Sequence, residues 1–162
     1  MKLHLVRHAA ASDIAPSDAE RELTREGREQ ARIAGAALAR LGATPNQILT
    51  SPLARARQTA AIIAQQLNFG NEVAVFDELL NDCSTAHLLR ALKTFADASE
   101  IILVGHMPSL AEHLAVLIGS KNPEALSLGK ASIASVELDD LRPGRAELRW
   151  FLRQKQLRLL AS

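Results

Sequence analysis

The run Ile101-Ile102-Leu103-Val104 limits what this chain can become more than any other segment. Consecutive apolar residues, mostly β-branched, leave no face for water, so they read as a strand covered on both sides, as central strands of parallel sheets are. The run stops at Gly105-His106. Pro108 then permits a helix, marked by Leu110, Leu114 and Leu117 at spacings of four and three. A parallel strand needs a crossover connection, so the rest of the chain should supply further strand and helix units.

Those units can be read in order. Residues 2–6, with Leu3, Leu5 and Val6, form a strand that delivers Arg7 and His8 at its end. Residues 9–22 lack helical period and read as a long loop, after which Thr24 caps a helix running to about Leu41, before Gly42. Residues 47–50 are a second short strand. Ser51-Pro52 reads as an N-cap followed by proline at the first helical position, and Ala56, Ala60, Ile63 and Leu67 mark the buried face of that helix. Residues 73–76 are a third strand, and Leu88, Leu92 and Phe95 the inner face of a third helix. The tail changes character: residues 133–138 and 147–152 alternate as strands around Pro143-Gly144. The expected fold class is α/β, a three-layer αβα sandwich whose mostly parallel sheet ends in an antiparallel edge. At 162 residues the chain is one domain, residues 1–162.

Composition removes several classes of function. A net charge of +1 is too balanced for a protein that grips nucleic acid or an anionic membrane by bulk charge. Aromatics at 3% leave little on which nucleobases could stack. Cys83 stands alone, which fits neither a disulfide scaffold nor a thiolate metal cluster and suits a reducing cytoplasm. No apolar run reaches membrane-spanning length, and charge within the first eight residues excludes a signal peptide there. Neither a cofactor nor a metal is expected: Arg7 beside His8 would repel a cation, and no carboxylate stands at ligand spacing. His4 within its strand, and His87 and His113 within helices, read as structural.

In such sheets ligands bind beyond the carboxyl ends of the strands. Two of those ends carry His8 and His106, and the helix after the second strand carries Arg55 and Arg57. This set suits a phosphoryl group. Arginine offers a planar fork that pairs phosphate oxygens and stays charged, so Arg7 and Arg55 can hold a dianion. Neutral imidazole attacks phosphorus and later leaves it, dividing one slow hydrolysis into two easier steps. Leu5-Val6-Arg7-His8, Leu23-Thr24-Arg25-Glu26-Gly27, the run from Ser51 to Ala60 and Val104-Gly105-His106-Met107-Pro108 together resemble the histidine phosphatase superfamily over almost the whole chain. The short length, Ser17-Asp18 and Arg21 before Leu23-Thr24, and the compact ending are similar to the SixA-type phosphohistidine phosphatases within it.

The resemblance implies a phosphoglycerate mutase-like fold, with His8 as phosphorylated nucleophile and Arg7, Arg55 and His106 completing the catalytic pocket. It further implies that Arg21 binds phosphate or organises its loop and that Asp18 lies at the rim as a substrate contact. Thr24 and Gly27 read as structural, and so does Ser51 as a helix cap, with Thr59 on the packed side. Two positions depart from the family pattern. Ala9 replaces a glycine, placing a Cβ where backbone approaches ligand, and Asn81 replaces the glutamate that larger members use as general acid, with Glu78 and Asp82 beside it but out of register.

The second departure bears on substrate. An alkoxide leaves poorly unless an acid protonates it, whereas a phosphoramidate nitrogen departs as an imidazole near its own pKa. The expected activity is therefore hydrolysis of phosphohistidine on another protein, such as a phosphotransfer domain, by a monomer. The alternatives are a small-molecule phosphomonoesterase drawing its proton from Asp18 or Glu78, and a non-catalytic phosphate- or phosphoprotein-binding module that needs Arg7 and Arg55 but forms no covalent intermediate.

Overall fold

A computed structural model describes residues 1–162. Its single sheet runs in the order β3-β2-β4-β1-β5-β6. The strands are β1 (Lys2–Arg7), β2 (Gln47–Thr50), β3 (Ala74–Val75), β4 (Glu100–Gly105), β5 (Ile133–Leu138) and β6 (Ala146–Leu152). The first four are mutually parallel, while β5 and β6 form the antiparallel side. Strand β4 is buried throughout and has a parallel neighbour on each side, as its unbroken apolar run requires.

Side-chain alternation splits the core between the two faces. Leu3, Leu5, Ile101 and Leu103 join one apolar cluster with Leu88, Leu92, Leu110 and Leu114, from helices α3 (Thr85–Leu92) and α4 (Ser109–Ile118). Val6, Ile102 and Val104 point the other way, toward Ala34, Leu38, Ala60 and Ile63 of helices α1 (Arg25–Arg40) and α2 (Ala54–Gln66). Small alanines on both helices permit the close α1–α2 packing. Thr24 caps α1, accepting the Gly27 N–H at 3.0 Å.

One local expectation needs correction. Ser51 does not cap α2: Leu53 holds that position, and the helix begins at Ala54. After β6 the chain continues into helix α5 (Gln154–Ala161), which buries Leu157 in the α1/α2-side core. Eight residues rich in Lys, Arg and Gln carry little intrinsic signal, and tertiary packing settles their conformation.

Candidate active site

Register explains why residues far apart in sequence meet. Arg7 of β1 pairs with Gly105 of β4, so the next residues, His8 and His106, leave neighbouring parallel strands side by side. Their ring centroids lie 5.1 Å apart. Thr50 of β2 pairs with Val104, which brings Ser51 beside the same strand end. Antiparallel β5 begins where β1 finishes, Ile133 opposite Val6, so residues 128–132 also lie at the catalytic end.

His8 is 5% exposed, and its Nδ1 lies 2.8 Å from the Ala9 carbonyl oxygen. A carbonyl can only accept, so Nδ1 carries the proton and Nε2 keeps a free lone pair. Burial pulls the His8 pKa down to about 3, with Lys130, His106 and Arg55 lowering it further and the Ala9 hydrogen bond opposing. At neutral pH His8 is thus an uncharged imidazole in one defined tautomer, as a nucleophile must be. His106 places Nε2 2.7 Å from Ser51 Oγ, while its buried Nδ1 has no protein partner. Burial lowers this pKa also, to about 4, aided by Arg55, Lys130 and Arg7 against the opposing carboxylate of Asp18.

Arg7 donates through Nη1 to the Leu128 carbonyl at 2.8 Å, and Arg55 donates to the Asp18 carbonyl at 2.8 Å and the Asp18 carboxylate at 3.1 Å. Both Nε groups are buried without a partner. Arg21 is committed to its loop, donating to the Ser12 carbonyl, Asp13 and Asp18. Asp18 therefore bridges Arg21 and Arg55, and those hydrogen bonds hold its carboxyl below the ordinary range. The structure thus brings Arg7, His8, Arg55, His106 and Asp18 together, with Arg21 anchoring the loop that carries Asp18.

The departures from the family pattern acquire a physical reading. Ala9 is fully buried in the α1/α2-side cluster, so its methyl packs into core, and its N–H reaches Thr59 Oγ1 at 3.1 Å. Thr59 Oγ1 in turn donates to the Arg55 carbonyl at 2.7 Å, tying α2 to the His8 loop. Asn81 clasps the turn after His106, donating to the Met107 carbonyl at 2.9 Å and accepting the Ser109 N–H at 3.3 Å. Glu78 faces His87, 3.8 Å away on α3.

Three residues near these strand ends carry no catalytic signal in the sequence. Ser51 and Thr59 resembled helix furniture because their partners are distant in sequence. Lys130 sits in no motif, and only the antiparallel placement of β5 brings it to the pocket. Burial lowers Lys130 to about 8, reinforced by Arg7, Arg21 and Arg55 and opposed by Asp13.

Paired imidazoles among converging arginines at the carboxyl ends of a parallel sheet suit a phosphoryl group. Residues 3–86 match the histidine phosphatase superfamily (branch 1). The chain belongs to that superfamily and is a phosphatase, a hydrolase. It is 35% identical over 152 residues to an uncharacterized protein of Picosynechococcus sp., covering 91% of this chain and 88% of that one. It is 28% identical over 153 residues to phosphohistidine phosphatase SixA of Escherichia coli, covering 93% and 92% of the two chains. The solved structure of the protein histidine phosphatase SixA complexed with tungstate superposes with a TM-score of 0.88 at 25% identity, covering 97% of this chain and 99% of that one. No helix is long and apolar enough to cross a membrane.

Proposed function

We propose that this phosphatase hydrolyses the P–N bond of phosphohistidine on another protein, acting as a cytoplasmic monomer on a partner such as a phosphotransfer domain. The observation that carries the reading is the state of the carboxylates. Asp18 is ionised and held by two arginines, Glu78 faces α3, and an asparagine clasp occupies position 81. None stands free over the pocket. Such a site suits a leaving group that needs no acid from the enzyme.

The chemistry then runs between two imidazoles. The Nε2 lone pair of His8 attacks phosphorus, the P–N bond of the substrate breaks, and its electron pair returns to the departing nitrogen. A substrate ring protonated on its other nitrogen by solvent leaves neutral. His8 keeps its Nδ1 proton on the Ala9 carbonyl, so it too is a neutral leaving group when water attacks the phosphoenzyme and releases orthophosphate. Arg7 and Arg55 neutralise the phosphoryl oxygens throughout. A phosphoryl oxygen also supplies the acceptor that an N–H at His106 Nδ1 lacks.

Ile14 is 92% exposed on the loop that carries Asp18. The remaining exposed large apolar residues, Leu41, Val75, Leu148 and Leu159, fall on separate elements, consistent with a monomer. The test is turnover of a phosphohistidine-bearing phosphotransfer domain beside an alkyl phosphate. Turnover of the former alone supports the proposal, whereas equal or preferred turnover of the alkyl phosphate overturns it.

A further inference from the structure

The turn before β5 is built around the nucleophile's own strand end. Arg7 Nη1 donates to the Leu128 carbonyl at 2.8 Å, and the Arg7 N–H donates to the Ser132 carbonyl at 3.2 Å. The Ala131 N–H is shared between the carbonyls of Arg7, at 3.1 Å, and His8, at 3.3 Å. To aim that N–H, Ala131 adopts φ +51°, a left-handed conformation uncommon for a residue with a side chain. Ser132 N–H to the Gly129 carbonyl closes the turn, and Gln154 of α5 fastens the Ala131 carbonyl at 3.0 Å. Lys130 is thereby fixed within a turn that is hydrogen-bonded directly to the His8 backbone.

Its side chain differs from every other cation of the site. Arg7, Arg21 and Arg55 each have a carbonyl or carboxylate partner, but Lys130 is half-buried with neither a hydrogen bond nor an ion pair. The charged and titratable groups around it are Arg7 from β1, Arg21 and Asp13 from the loop after β1, Arg55 from α2, and the two pocket histidines. A partly desolvated ammonium in the field of three guanidinium groups is unfavourable unless an anion joins it.

We propose that Lys130 is a further catalytic residue, its ammonium bonding a phosphoryl oxygen while the phosphoryl group moves between the substrate and His8 Nε2. The inference rests on the phosphatase reading and deepens it. Charge in a phosphoryl-transfer transition state spreads over the three equatorial oxygens, where a preorganised cation acts most strongly. Lys130 keeps its protons throughout and acts as a hydrogen-bond donor. Because it titrates near 8 in the free enzyme, its grip weakens as pH rises, and kcat/KM carries a basic limb there.

The test compares wild type with Lys130→Met and Lys130→Arg in the full chain, after circular dichroism has confirmed the fold. Orthophosphate affinity is measured by calorimetry, and kcat/KM on a phosphohistidine-bearing protein is followed with pH. Lys130→Met should lose roughly 10- to 100-fold in both, the worth of a hydrogen bond to a charged group, and its profile should keep only the basic limb of the substrate ring, without the added fall that Lys130 gives wild type. Lys130→Arg should keep most of the affinity while also lacking that added fall, since guanidinium does not titrate in this range. Unchanged orthophosphate affinity in Lys130→Met, or a basic limb in Lys130→Arg identical to that of wild type, overturns the inference. Orthophosphate binding that depends on Lys130 in an enzyme inactive on phosphohistidine would uphold Lys130 while refuting the substrate class.

Discussion

Replacing His113 with glutamine should flatten the acid side of the stability curve. His113 is 1% exposed on α4, with Nδ1 2.8 Å from Thr85 Oγ1 of α3 and Nε2 buried without a partner. A proton added to the ring would leave an N–H with nothing to accept it, and burial alone lowers the pKa from 6.5 to about 4. The neutral form is therefore favoured in the folded state. Stability from this group is fully present above 6.5, where the unfolded chain is also neutral, and is lost as pH falls from there toward 4 while only the unfolded chain takes up the proton. Near pH 5 the unfolded state gains about 1.5 pKa units of protonation, and at about 1.4 kcal/mol per unit His113 costs the fold about 2 kcal/mol. Urea unfolding near pH 7 and near pH 5 measures this as a double difference. The packing cost of the substitution is the same at both values and cancels, as do the contributions of His4, His8 and His106. Wild type should lose about 2 kcal/mol more than His113→Gln between the two conditions. Equal losses would refute the assignment of His113 as a buried neutral base.

Three further substitutions probe the frame of the site. Gly27→Ala would drive a Cβ into the Ala10 carbonyl oxygen, where α1 meets the loop after His8, and should cost about 2–3 kcal/mol in chemical unfolding. Ser51→Ala removes the hydroxyl bonded to His106 Nε2, so kcat/KM should fall about tenfold or more while stability changes by about 1–3 kcal/mol. Asp18→Asn should leave the shape of the pH–rate profile unchanged near neutrality, because the carboxyl is already ionised by its arginine partners; a lost basic limb would instead identify Asp18 as the acid.

Legibility in the sequence followed the range of the interactions involved. The bounds of β2 and α1 could be read because the information is local: a short apolar run, and a threonine three residues before the glycine whose N–H it accepts. The pairing of His8 with His106 was also legible, since each ends a buried strand and parallel strands deliver their ends to one edge. Ser51 misled because Ser-Pro is a good local cap signal, yet register with β4 places it against His106 instead. Ala9 misled in the opposite sense: the absent glycine suggested crowding at the ligand, but the methyl turns into core. Lys130 carried no signal, because a lysine between Gly129 and Ala131 gains meaning only once β5 is known to run antiparallel to β1.

Rapid quenching into alkaline detergent, which preserves P–N bonds, with a 32P-labelled phosphohistidine domain as substrate tests the central claim most directly. Wild type should release labelled orthophosphate through an alkali-stable, acid-labile phosphoenzyme, His8→Ala should form neither product, and an alkyl phosphate should be a poor substrate for both. Release of orthophosphate by His8→Ala at the wild-type rate, or turnover by wild type confined to the alkyl phosphate, would contradict it.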